Sequence, residues 1–171
     1  MSFKDYHFKH YIQQALEEIG FVNPTEVQQR LIPVVSSGRD LVGESKTGSG
    51  KTHTFLLPIF EKLDEDKAEV QVVITAPSRE LATQIFDACK QIAKHSQKEI
   101  RLANYVGGTD KLRQIEKLKS SQPHLVVGTP GRIYDLVKSG DLEIYKATTF
   151  VVDEADMTMD LSLIHISEPT R

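Results

Sequence analysis

The residues whose types and spacing could do chemistry are concentrated in Ser45-Lys46-Thr47-Gly48-Ser49-Gly50-Lys51-Thr52. Gly48 and Gly50 can take backbone conformations that a Cβ resists, so successive N–H groups can turn inward around phosphate oxygens. A helix-like run, 52–63, follows directly. A helix starting at a phosphate offers unpaired N–H groups and the positive end of its dipole. Lys51 can reach β and γ phosphates, and the Thr52 hydroxyl can ligate Mg²⁺. Ser45 departs from the usual pattern, which opens on Gly. The stretch reads as a nucleoside triphosphate site that takes Mg²⁺ with its ligand.

A second acidic group completes that chemistry. Asp153-Glu154-Ala155-Asp156 follows the apolar run Phe150-Val151-Val152. A carboxylate at the end of a buried strand, paired with a phosphate loop, is where such sites hold Mg²⁺, directly or through water. Glu154, next in line, is suited to orienting and deprotonating an attacking water.

These groups need elements to position them, and the chain alternates strand and helix signals with a regular beat. Residues 8–19 carry Tyr11, Ile12, Ala15, Leu16 and Ile19 at amphipathic helical spacing, and Gly20 stops the run. Thr25 is a suitable N-cap for a second helix over 26–35. Strands are predicted at 40–43, 70–76, 100–106, 124–128 and 149–152, and helices at 52–63, 78–94, 110–120 and, after the loop 129–132, a short one running to Lys138. Such alternation demands crossover connections and a largely parallel sheet with helices on both faces. Ligands of these sheets gather at the carboxyl ends of the strands. The distinctive loops, at 45–52, 77–82, 107–108, 129–132 and 153–156, all fall on that edge.

At 171 residues, 39% hydrophobic and 26% charged, the chain reads as a soluble α/β protein able to bury a substantial core. No run approaches membrane-spanning length. A single cysteine, Cys89, set among Ile85, Phe86, Ile92 and Ala93, reads as a buried inert thiol in a cytoplasmic protein. The net charge of −3 argues against an indiscriminate polyanion binder, so any nucleic-acid contact must come from local sites. The six histidines show no metal-ligand spacing.

Taken together, the ordered motifs resemble the first RecA-like domain of a DEAD-box RNA helicase. They are the glutamine motif from Gly20 to Gln28, the phosphate loop, Pro77-Ser78-Arg79-Glu80-Leu81-Ala82, Gly107-Gly108, Thr129-Pro130-Gly131-Arg132 and Asp153-Glu154-Ala155-Asp156. The wording, including Gln122-Pro123-His124-Leu125-Val126-Val127-Gly128, is similar to the bacterial cold-shock members. Ser45 stands where the family usually has Ala, and Ser78 where Thr is commoner. The resemblance implies an RNA-stimulated ATP hydrolase that unwinds RNA locally. Gln28 would read the adenine edge and Phe3 would stack on the ring, while Ser45 to Thr52 would hold the phosphates. Lys51, Asp153 and Glu154 would serve catalysis, with Thr52 and Asp153 on the metal. Arg79, Gly108, Thr129, Gly131 and Arg132 would meet RNA through its sugar–phosphate backbone, which positions a strand without reading its sequence.

The expected organisation is an N-terminal helical segment (1–35), a partial RecA-like domain (36–160) and a tail (161–171). The tail resembles nothing in the family and looks like an in-frame translation of a sequencing-library adapter. The resemblance further implies a Ser-Ala-Thr motif and a second RecA-like domain beyond Asp160. That second domain would carry an arginine finger, which contributes on the order of 10³–10⁵ in rate. The strand leading to the Ser-Ala-Thr motif would lie between the phosphate-loop strand and the Asp153 strand. Without it, the strands at Leu41 and Phe150 are expected to face a gap and the chain to be unstable.

Overall fold

A computed structural model describes residues 2–21, 23, 41–43 and 49–153, with 41–43, 49–51, 53, 54 and 153 described by their backbone alone. The helix expected over 26–35, Gln28, residues 44–48, Glu154 and the tail lie outside the described residues.

The described residues build five parallel strands, β1 (Leu41–Gly43), β2 (Val72–Thr75), β3 (Leu102–Tyr105), β4 (Leu125–Gly128) and β5 (Thr149–Asp153), in the order β1-β5-β2-β4-β3. α1 (His10–Ile19) precedes them, and between them run α2 (Ser49–Lys62), α3 (Arg79–Ala93), α4 (Lys111–Ser120) and α5 (Pro130–Lys138). A short 3₁₀ turn at Phe3–Tyr6, which the periodicity does not announce, precedes α1. Every residue of β2 and β4 is buried. That fits strands covered on both faces, which read as continuous apolar runs.

One face of the sheet packs Val72, Ile74, Leu125, Val127 and Val151 against α1, α2 and α3, through side chains such as Ile12, Leu56, Phe60, Ile85 and Ile92. The other packs Val73, Val126, Tyr105 and Phe150 against α4 and α5, through Leu118, Ile133 and Leu136. The α/β sheet with helices on both faces is as expected. Cys89 is fully buried in the first of these cores, and burial pushes its thiol pKa up, so it stays protonated and inert.

The expected gap beside β1 is not found. β1 pairs directly with β5 in parallel register, Leu41 with Val151, Val42 with Val152 and Gly43 with Asp153. An unpaired buried backbone group costs about 1–3 kcal/mol, so two open rows would be far costlier than the closed ladder. The phosphate-loop helix also starts earlier than expected, at Ser49 instead of Thr52.

His124 knits the far end of the sheet together. Its ring is buried, its Nδ1 accepts from the Arg101 backbone N–H at 2.9 Å, and its Nε2–H donates to the Glu65 carbonyl at 3.1 Å. That arrangement requires the neutral imidazole. Burial first, and the Arg101 charge second, hold its pKa below the ordinary 6.5. Below that value the unfolded chain therefore binds a proton that the folded chain refuses. Stability should be complete above about pH 6.5 and fall as the pH drops toward 5, with a slope of up to about 1.4 kcal/mol per pH unit. Denaturant midpoints across this range test it. A flat profile, or an equal fall in His124→Gln, would refute the assignment.

Candidate nucleotide and nucleic-acid site

The register decides where the site residues stand. Gly43 pairs with Asp153, Thr75 with Val152 and with Gly128, and Tyr105 with Gly128. The carboxyl ends of all five strands therefore form one row, and a sequence motif follows each of them.

At one end of the row is the phosphate-loop helix. Ser49, Gly50, Lys51 and Thr52 form the first turn of α2, where backbone N–H groups lack helical acceptors. The backbone of Asp153 lies beside that of Gly43, the last residue before the loop. Thr52 and Asp153 offer hydroxyl and carboxylate oxygens, the hard donors that suit Mg²⁺. Among the described residues no group of three or more His, Cys, Asp and Glu could hold a metal. A donor set of one or two protein oxygens plus phosphates is how Mg²⁺ is usually held, so the residues fit it.

At the other end, three loops converge. Ser78 caps α3, its Oγ accepting from the Leu81 N–H at 3.1 Å. That sets Arg79 at the first helical position, exposed. Its guanidinium lies against Gly108, whose φ is +81° and where an added Cβ would come to 3.0 Å from Arg79 Nη1. Gly107 N–H donates to Thr129 Oγ1 at 3.4 Å, and Thr129 N–H to the Tyr105 carbonyl at 3.0 Å. Pro130 opens α5, which puts Gly131, exposed, and Arg132 in its first turn. Arg132 Nη1 donates to the Thr109 carbonyl at 3.2 Å and to Gln114 Oε1 at 2.8 Å. The structure thus brings Arg79, Gly108, Thr129 and Arg132 together, as expected.

Phe3 stands in an aromatic cluster with Tyr6 and Phe21. Its ring is 3% exposed and stacks on Phe21 at 6.3 Å between centroids. Beside it opens a small apolar cavity of about 240 Å³, lined also by Leu16, Gly20 and Phe21. Gln28, Ser45, Lys46, Thr47, Gly48 and Glu154 lie outside the described residues.

Two contributors escape sequence reasoning. Lys9 Nζ donates to the carbonyls of Leu63 at 2.7 Å and Phe60 at 3.4 Å and pairs with Glu65 at 3.1 Å, while Tyr11 Oη donates to Phe60 O at 3.1 Å. A cation and a hydroxyl thereby close the last turn of α2, where free carbonyls and the negative dipole end favour them. This fastens the N-terminal segment to α2. Gln114 is the second, since it links Arg132 to Thr109 by donating Nε2–H to Thr109 Oγ1 at 2.8 Å. No local motif signals either, because the partners are distant in sequence or sit on an ordinary amphipathic helix.

Comparison with known proteins follows the same lines. Residues 25–168 match the DEAD/DEAH box helicase family. The chain is 50% identical over 163 residues to the "DEAD-box ATP-dependent RNA helicase CshB" of Listeria monocytogenes, covering 95% of this chain and 37% of that protein. It is 48% identical over 164 residues to the protein of the same name from Bacillus subtilis, again covering 37% of it. A crystal structure of a DEAD box protein from Methanococcus jannaschii superposes with a TM-score of 0.79 at 25% identity, over 98% of this chain and 53% of that one.

Proposed function

Because the chain belongs to the DEAD/DEAH box helicase family, we propose that it forms the ATP- and RNA-facing portion of an ATP-dependent RNA helicase. The observation that carries this reading is the single row of strand ends. It sets the start of α2 and Asp153 at one end and the Arg79, Gly108, Thr129 and Arg132 edge at the other. Residues 45–52, the last four of them the first turn of α2, wrap the phosphates, and Lys51 neutralises them. Thr52 and Asp153 would hold Mg²⁺, which would supply positive charge to offset that of the phosphates. Glu154 orients the attacking water and takes its proton. Arg79, Gly108, Thr129, Gly131 and Arg132 hold the RNA backbone without sequence readout. The second RecA-like domain and its arginine belong to the same proposal, and the chain spans only 37% of the length of the CshB relatives it matches. The test compares this chain with a protein of the relatives' full length. Both should bind ATP, and only the longer should show RNA-stimulated turnover; RNA-indifferent turnover in the longer protein would refute the reading.

Adenine selectivity rests on Gln28, with Phe3 and its neighbouring cavity as the apolar wall. Phosphate contacts cannot distinguish ATP from GTP. A hydrogen-bonded base edge contributes about 1–3 kcal/mol of discrimination. Gln28→Ala should therefore weaken ATP roughly tenfold and leave GTP much less affected. Titration with labelled ATP and GTP would show it, and an unchanged ATP/GTP ratio would sink the assignment.

A further inference from the structure

β3 is an edge strand, so the backbone donors and acceptors on its outer side face a groove between α3 and α4. The groove encloses about 750 Å³, and its walls include Phe86, Arg101, Arg113, Gln114 and Lys117. It opens onto the row of motif loops through Thr109 and Gln114, the two residues that hold Arg132. A strand lying along Arg79 and Arg132 therefore has a continuous path into it.

The charge pattern says what it fits. Elsewhere on the surface four exposed lysines are paired with acids, Lys90 with Asp87, Lys94 with Glu18, Lys98 with Asp66 and Lys146 with Glu69, while others, such as Lys67, Lys119 and Lys138, have no ion-pair partner among the described residues and line no groove of this kind. Arg113 and Lys117, one turn apart on α4, are exposed and have no ion-pair partner among the described residues. Of the two acids lining the groove, Asp110 is engaged as the cap of α4, its Oδ1 accepting from the Arg113 backbone N–H at 3.2 Å, and Glu99 is the other. A chain with a net charge of −3 thus leaves two free cations where its RNA edge continues. A groove that carries cations and an aromatic ring is the usual equipment of a single-strand channel, and here Phe86, with Lys90 Nζ 5.0 Å from its ring centre, lies in the α3 wall.

We propose that this groove is an extension of the RNA site, in which Arg113 and Lys117 bind phosphates of the single strand flanking the segment held by Arg79 and Arg132. The inference rests on the RNA-binding reading above. The four strand residues of β3 span roughly 13 Å, room for a short stretch of backbone.

The test is the paired variant Arg113→Glu/Lys117→Glu in a protein of the relatives' full length, with a non-hydrolysable ATP analogue and labelled oligouridine. Strands of roughly six and roughly fourteen nucleotides lie toward the two ends of the usual range of single-strand site sizes. Affinity for the short strand should stay within about twofold, and affinity for the long one should fall about tenfold at low salt. The salt slope of the long strand should drop by about 0.7 for each phosphate that is no longer neutralised, so by about 1.4. The charge-preserving pair Arg113→Lys/Lys117→Arg should restore both. Unchanged affinity and slope for the long strand would overturn the proposal while leaving the motif edge intact. Arg79→Ala/Arg132→Ala separates the two readings, since it should weaken both lengths alike. If it weakens neither, the RNA reading itself fails and this proposal falls with it.

Discussion

Glutamine in place of Glu154 should leave ATP bound and nearly unhydrolysed in a protein of the relatives' full length. The substitution preserves size and hydrogen-bonding capacity and removes only the ability to accept a proton. A positioned general base contributes about 10²–10⁴ in rate, so kcat should fall by roughly that factor. The Kd for ATP should change little, because Lys51 and the backbone donors of the loop are untouched. Single-turnover hydrolysis with a parallel binding titration separates the two effects. A variant turning over within about threefold of the unaltered protein would show that another group activates the water.

Gly128→Ala should be the most damaging of the small substitutions for stability. Gly128 is the last residue of β4 and lies opposite Tyr105 on β3. An added Cβ would sit 2.2 Å from the Tyr105 carbonyl oxygen and 3.1 Å from Ile133 Cδ1. The nearest obstacle is backbone, which cannot rotate away as a side-chain tip can. Relief requires parting β3 from β4, and with it the bond from Thr129 N–H to the Tyr105 carbonyl. Overpacking of this kind costs typically 1–3 kcal/mol and sometimes more. At the upper end that lowers Tm by roughly 6–12 °C for a domain of this size. Gly131→Ala is the control. It sits in the first turn of α5 with nothing within 4 Å of the added Cβ, and should melt with the unaltered chain or slightly above it. Equal melting temperatures for the two variants would mean the strands separate more easily than their register implies.

Much of the architecture was legible because local rules and the global fold agree. Apolar runs of four or five residues ended by Gly or Pro become β2 and β4, which are buried on both faces and leave no polar alternation to confuse the reading. Asp110 and Ser78 cap the helices they were expected to begin, since short polar side chains satisfy first-turn N–H groups wherever a helix starts. The convergence of Arg79, Gly108, Thr129 and Arg132 was legible for a different reason. In a parallel sheet every loop after a strand emerges on the same edge, so motif order alone predicts their meeting.

What the chain could not disclose by itself is what depends on partners distant in sequence. Direct pairing of β1 with β5 reversed the expectation of an open gap, because strand order follows from which ladders close and no residue type encodes a neighbour. The Lys9 and Tyr11 clamp on the end of α2 joins residues about fifty positions apart, and only folding brings that ammonium to those carbonyls. His124 looked like one more strand residue until burial between Arg101 and Glu65 made it a neutral, doubly bonded imidazole. The free cations of α4 belong to the same class. By itself, the sequence determined the chemistry available and the edge on which it gathers, since those depend on residue type and strand direction. The tertiary structure decided which charges are cancelled and which remain free for a ligand, since that is a matter of distance.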